Sequence, residues 1–439
     1  MKETGIPWLG PTLDDWDITA IKREFDVYAG ATPDSKTLEY WDGDVIWITP
    51  ADFKTQDQYV ISGKRNLSKA GYKACGTTIV PAGSIIFSKR APIGTVCIST
   101  QPMCTNQGCL SCVPKTDVDV KYYYYVMSTA SEAFEVEGSG TTFKEISLNK
   151  FMNFKVPVPS ANEQSMMVHY LDPRVSKINS IITEVQKSIE EYKTLKQAVI
   201  TEAVTKGLDK NAPMKDSGIK SIGSIPEHWE PVHLKNLCTK ISDGSHFSPN
   251  TFSDGFCYIT AANVHGEGLD YNEAKRISAE DFHNLEQAGC RPHKGDVLLV
   301  KDGATTGRVG LMTDNEPCVL LSSVAYLTPR GNVYSKYLMY LLESNAIQEQ
   351  IKVSMAGSAM PRTVLSKIVN YYGIWCPRNE QIEIADMLDG RTSQIDALIF
   401  EKQSLIDDLQ EYKKSLIYEV VTGKRKVVSK WPRTRNSLN

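Results

Sequence analysis

"NEQSMMVHYLD" (Asn162–Asp172) and "NEQIEIADMLD" (Asn379–Asp389) are nearly the same sentence, written twice at an offset of 217 residues (162 to 379). Self-similarity at a fixed offset decides architecture before any local reading does. The alignment runs without a gap from Asn162–Thr205 onto Asn379–Thr422, with Leu171/Leu388, Asp172/Asp389, Arg174/Arg391, Ile178/Ile395, Glu184/Glu401, Glu202/Glu419 and Thr205/Thr422 identical. It extends backwards through "KYYYYVM" (Lys121–Met127) against "KYLMYLL" (Lys336–Leu342), and through Gly140, Leu148 and Lys150 against Gly357, Leu365 and Lys367. At the front, "GIPWLGPTLDDWDITAIK" (Gly5–Lys22) matches "GIKSIGSIPEHWEPVHLK" (Gly218–Lys235). The chain is a tandem duplication, a globular part followed by a helix, twice.

Periodicity makes the repeated C-terminal segment of each copy helical. Ile178, Ile181, Val185, Tyr192, Leu195 and Val199 step by threes and fours in the first copy, with Ser188 the polar exception. Ile395, Leu398, Leu405, Leu409, Tyr412 and Leu416 do so in the second, with Lys402 the exception. A seam of about four heptads requires a partner helix, and the other copy is the nearest one. Helices of about 30 residues are about 45 Å long. The globular parts read as α+β. Short runs such as "DVIWIT", "GSIIFS", "GDVLLV" and "CVLLSSVAYL" are bounded by turn residues, and one helix per copy carries Tyr122–Tyr125 and Tyr337–Tyr340. Since Leu338 and Met339 replace the middle tyrosines of the second run, most of the tyrosine run is expected to be helix packing rather than base stacking.

At 439 residues, 41% hydrophobic and 23% charged, the chain is long enough for two to four domains. No apolar run is long enough to span a bilayer, "MKETGIPWLG" lacks the features of a signal peptide, and ten cysteines form no disulfide-like framework, so a cytoplasmic location is expected. The net charge of −3 hides local fields. Lys54, Lys64, Arg65, Lys69, Lys73, Lys89 and Arg90 lie in one stretch with a single acid, Asp57, and no acid follows Glu419 in a tail rich in Lys and Arg.

Chemistry of other kinds is missing. Cys104, Cys109 and Cys112 have the C-x₄-C-x₂-C spacing of an iron–sulfur run, but the fourth thiolate that motif needs does not appear before Cys238, so buried thiols are expected and no metal. No zinc pattern, Walker A lysine or nucleophile elbow is present, and "GSGTTF" lacks the context of a nucleotide loop. The chain reads as non-catalytic. Two similar heads on a helical spacer suit a ligand that repeats in space, such as duplex DNA with half-sites about 34–36 Å apart.

These residues resemble the DNA-specificity subunit of type I restriction–modification enzymes, over nearly the whole length. The tokens are "TPDSKTLEYWDGDVIWITPADF" (Thr32–Phe53), "SKRAPIGTV" (Ser88–Val96), "GTTFKEISLNKFMNFKVPVPSANEQ" (Gly140–Gln164), "IGSIPEHWE" (Ile222–Glu230) and "SDGSHFSPNTFSDGFCYITAANV" (Ser242–Val264). The resemblance implies two α/β target-recognition domains, 1–157 and 213–374, separated by two long antiparallel helices forming a coiled-coil spacer, 158–212 and 375–428, with a basic tail at 429–439. It implies that each domain reads half of a bipartite site in double-stranded DNA. Cofactors are expected in partner chains only: methyltransferase subunits with S-adenosylmethionine, and a restriction/translocase subunit with ATP and Mg. One departure is "GIWCPRNEQ" where the first copy has "VPVPSANEQ".

Candidate DNA contacts are Lys54, Lys64, Arg65, Lys69, Lys73, Lys89, Arg90, Thr141, Thr142 and Lys144 in the first copy. In the second they are Ser245, His246, Lys301, Arg308 and Arg362. The loops Thr141–Lys144 and Ser358–Arg362, each after a glycine, are candidates to approach a groove. A scaffold that organises partner subunits with only marginal DNA contact is the competing reading. A stand-alone methyltransferase is disfavoured, because neither its catalytic motif nor a cofactor glycine motif is present.

Overall fold

The computed structural model describes residues 1–54, 57–140, 144–266, 268–355 and 361–427. Contacts divide the chain into two units. One holds Met1–Val185 with the chain from Ser404 onward, the other Gln186–Gln403. The division cuts both long helices, Ala161–Lys206 and Arg378–Val421. Each unit therefore contains one globular region, the start of the helix that follows it, and the end of the other copy's helix.

The first globular region is built on a five-stranded sheet in the order Phe25–Ala29, Cys109–Pro114, Ile85–Ser88, Val96–Ser99, Tyr59–Val60, antiparallel except for the last pair. The second repeats four of these strands as Cys238–Asp243, Val324–Pro329, Val297–Val300 and Val309–Leu311, all antiparallel. Both central strands, Ile85–Ser88 and Val297–Val300, are buried on both faces, which explains their continuous apolar runs. Mixed sheet and helix, twice in tandem, is the fold.

The repeated "NEQ…LD" is the joint between globular region and helix. Glu163 accepts the Trp16 indole N–H at 3.2 Å, and Glu380 accepts that of Trp229 at 2.8 Å. Gln164 accepts from Asp119 N and donates to Pro159 O; Gln381 accepts from Tyr334 N and donates to Cys376 O. Asp172 takes the Tyr125 hydroxyl at 2.7 Å and the Lys121 ammonium at 2.5 Å. Asp389 takes the Tyr340 hydroxyl at 2.7 Å and the Lys336 ammonium. The tyrosine helices thus lie buried against the long helices as packing elements, and burial pushes the phenols of Tyr122 and Tyr337 well above their ordinary value.

The departing junction has a local cause. Ser160 and Glu163 form a capping box on the first long helix, Ser160 N donating to Glu163 at 2.9 Å. Pro377 stands in the place of Ser160 and has no hydroxyl, and Glu380 takes His228 at 3.0 Å instead.

The helix seam differs in register from the periodic reading. Ile178, Val185, Tyr192, Val199, Ile395, Leu409 and Leu416 are at least half-buried, as is Ile181. Leu195 (48%), Leu398, Leu405 and Tyr412 (54%) are exposed. The second row of the seam lies one residue later, at Ile182, Ile189 and Lys196, and at Ile399, Ile406 and Lys413. Within one unit Lys413 Nζ donates to Asn179 Oδ1 at 3.0 Å; within the other Lys196 Nζ donates to Asp396 Oδ2 at 2.6 Å. These are the same contact, because 179 and 396, like 196 and 413, are repeat mates. Within the second unit Lys402 also lies over the Tyr192 ring, so partner numbers rise on one helix as they fall on the other and the segments run antiparallel there.

Candidate nucleic-acid interface

Three loops in each globular region carry the candidate residues. The first follows the edge strand, at Gly30–Pro33 and Gly244–Phe247. A Cβ on Gly30 would stand 2.1 Å from Asn106 O, and one on Gly244 2.0 Å from Leu320 O, so both turns admit only glycine. An aromatic from a strand of another sheet ties each turn: Trp47 Nε1 donates to Ala31 O at 3.0 Å, and Tyr258 OH to Phe247 O at 3.2 Å.

The second and third loops are bridged by charge. In the first region Arg90 Nε donates to Glu145 at 2.9 Å and Lys89 Nζ lies 3.6 Å from the same carboxylate. The guanidinium, with Lys89, holds the Glu145 carboxyl below its ordinary value. In the second region Asp302 occupies the place of Arg90, and Arg362 that of Glu145, again bridged residue to residue. Arg362 Nε lies 2.9 Å from Asp302, and Lys301, only 2% exposed, stands 3.2 Å from Asp302 and 3.3 Å from Asp243. In both rims a carboxylate lies between two cations, with the polarity of the bridging pair reversed, and the second rim adds Asp243 against Lys301.

The other candidates divide by exposure. Lys54, Lys64, Lys69, Lys73 and Lys144 are exposed; Lys69 and Lys73 lie on a short helix capped by Ser68, whose hydroxyl accepts from Gly71 N. Arg65 lies 4.2 Å over the Trp41 ring and 3.3 Å from Asp42. His246 is exposed, 3.4 Å from Asp243, while Ser245 is buried and bonds Phe247. Arg308 is half-buried, donating to Val264 O at 3.3 Å. Thr141 and Thr142, with Phe143, Gly357, Ser358, Ala359, Met360 and the tail 429–439, lie outside the described residues. Lys301 presents its charge to two carboxylates rather than to solvent, because leaving an ammonium unpaired in the interior costs several kcal/mol. Sequence reasoning passed over Glu145, Asp302 and Asp243, although Asp302 stands directly beside Lys301.

The cysteine run is not a cluster. Cys109 and Cys112 are three apart on one strand, so their side chains leave opposite faces, and burial pushes both thiols up, with Cys104 at about 11. Among the described residues no group of His, Cys, Asp and Glu is placed to hold a metal ion, and no helix is long and apolar enough to cross a membrane.

The "Type I restriction modification DNA specificity domain" family matches residues 14–191 and again 226–406. The chain belongs to the type I restriction–modification DNA-specificity family. It is 34% identical to the type I restriction enzyme MjaIX specificity subunit of Methanocaldococcus jannaschii, over 97% of this chain and 96% of that one. It is also 21% identical to the EcoBI specificity subunit of Escherichia coli, over 78% of this chain and 73% of that one. The fold matches a chain in a solved structure described as "Structural basis underlying complex assembly and conformational transition of the type I R-M system", with TM-score 0.67 at 14% identity, covering 94% of this chain and 100% of that one. A specificity chain of this family is non-catalytic and confers DNA sequence specificity, and the two rims belong to its two specificity domains.

Proposed function

We propose that each globular region reads one half of a bipartite site in double-stranded DNA, and that the helices dock methyltransferase subunits. The observation that carries this reading is the pair of rims. One scaffold, down to its glycine turn and a carboxylate set between two cations, is presented twice with different side chains at matched positions: Arg90 and Glu145 against Asp302 and Arg362. Phosphate contacts position a protein on DNA, whereas differing side chains on a constant frame are what distinguish base sequences. The exposed Lys64, Lys69 and Lys73 supply the phosphate-directed charge. Partner subunits in the cytoplasm supply S-adenosylmethionine chemistry and, where a restriction subunit joins, ATP-driven cleavage.

Sequencing DNA methylated by the assembled complex tests the reading. Grafting a relative's domain over residues 1–157 changes one half of the methylated motif and preserves the other. The graft must keep the residues that face the second long helix, since Thr12 donates to Thr422 O and Trp8 O accepts from Tyr418. Changes in both halves contradict separate reading. Only marginal DNA binding, with little affinity to lose as salt rises, favours a scaffold.

A further inference from the structure

The turn after the edge strand differs between the two regions in one respect that the fold does not require. In the first region it carries Thr32, and Pro33 is buried. In the second the matched positions are His246 and Phe247, and the Phe247 ring is 64% exposed. Burying a phenylalanine is worth about 1.5–3 kcal/mol, and Phe247 forgoes most of it on a turn that hydrogen bonds hold in place.

The turn is not loose. Phe247 N donates to the Ser245 hydroxyl at 3.0 Å, and Phe247 O accepts from that hydroxyl at 2.8 Å and from Tyr258 OH at 3.2 Å. Ser245 is buried, its N–H donating to Leu320 O at 2.7 Å and its carbonyl accepting from Ser322 N at 2.9 Å. Five hydrogen bonds fix the backbone while the ring stands free. Beside it His246 leans on Asp243, which also pairs with the buried Lys301 of the charged rim. An apolar ring on a fixed backbone, next to the exposed His246, suits the major groove, where thymine alone offers a methyl group. Fixing the backbone in advance removes the ordering cost of binding.

We infer that Phe247 is a specificity-determining residue of the second domain, reading a thymine of its half-site through the 5-methyl group. The inference rests on the reading that this domain recognises DNA. The first domain lacks the contact, since a buried proline stands in its place, so the two half-sites are read by different chemistry at one matched position.

The test uses the full chain and a pool of duplexes with randomised positions, comparing wild type with Phe247→Ala and Phe247→Leu. Phe247→Ala flattens the preference at one A·T pair in one half-site by about tenfold, and Phe247→Leu keeps most of it. The salt slope and melting temperature stay at wild-type values, because the ring is uncharged and exposed. Replacing the identified thymine by deoxyuridine weakens wild-type binding by a similar factor and leaves Phe247→Ala unaffected. A Phe247→Ala profile identical to wild type, or wild-type indifference to deoxyuridine at every thymine, overturns the inference while specific binding stands. A wild-type chain with no sequence preference instead overturns the function proposed above.

Discussion

Arg362 Nε stands 2.9 Å from Asp302 Oδ1, in the place where the first region sets Glu145 against Arg90 at the same distance. A bridge kept in place and in distance but reversed in sign indicates that its structural task, joining the hairpin to the segment before the next helix, is indifferent to polarity. The field it presents is not, because the outward cation comes from a different loop in each region.

Reversing the first bridge should therefore be tolerated. Arg90→Glu alone sets two carboxylates face to face and destabilises by about 1 kcal/mol, a modest figure because both partners are more than a third exposed and screened. Adding Glu145→Arg should recover most of the loss in the denaturant midpoint of the full chain. No recovery shows that the bridge depends on its polarity.

Exposure sorts the lysines by salt dependence. Lys69→Ala with Lys73→Ala should flatten the slope of log K against log salt by about one unit per lost phosphate contact. Lys301→Met should lower stability and leave that slope alone, because Lys301 is buried between carboxylates. Titrating one duplex at several salt concentrations separates the two behaviours.

Glu163 carries a pH dependence. Burial works against its charge, but hydrogen bonds from Ser160 and Trp16 outweigh this and hold the carboxyl below its ordinary value. A depressed folded value stabilises above the unfolded carboxylate range near about pH 4.3, and the contribution is lost as pH falls through the folded value. Glu163→Ala should cost about 2 kcal/mol at pH 7, through the lost cap and the orphaned indole N–H. The gap between variant and wild type should narrow on acidification. A gap independent of pH would show that the charge contributes nothing.

The seam gives a prediction in contrasts. Ile182→Ala, Ile189→Ala and Ile406→Ala should each cost about 2–4 kcal/mol, and Leu398→Ala or Leu405→Ala less than about 0.5. Larger losses at Leu398 and Leu405 than at the isoleucines, read from chemical denaturation, would return the seam to the register taken from periodicity.

That register shows where legibility ended. The duplication, the helices and the anchoring motif were all visible, because repetition survives substitution and "NEQ…LD" sits at joints that only a few side chains satisfy. The second row of the seam was misplaced because Leu195, Leu398 and Leu405 are apolar yet face water, while Lys196 and Lys413 occupy inward positions. Identity between copies at Ile182/Ile399, Ile189/Ile406 and Lys196/Lys413 was the signal available. The rims were only partly legible. Basic residues mark a phosphate-facing surface, but which lysine is buried depends on carboxylates brought in from distant segments, as Asp243 is to Lys301.

The last prediction concerns a fragment of residues 1–212. In the intact chain the first globular region is closed by the end of the second long helix: Thr12 donates to Thr422 O at 3.0 Å, Tyr122 to Val421 O at 3.1 Å, and Tyr418 to Trp8 O at 3.0 Å. The fragment lacks that helix and would expose an apolar seam together with the unpaired carbonyl of Trp8. It does contain the repeat mates, since Thr205 and Val204 correspond to Thr422 and Val421. A second copy can therefore supply an equivalent helix end to each globular region, giving a two-fold dimer. Thr201 stands where Tyr418 would be and has no phenol to reach Trp8, so the dimer should be weaker than the covalent arrangement. Replacing Thr201 by Tyr in the fragment should tighten it. Sedimentation at tens of micromolar should show a dimer that dissociates on dilution, and a folded fragment that stays monomeric at those concentrations would refute the pairing.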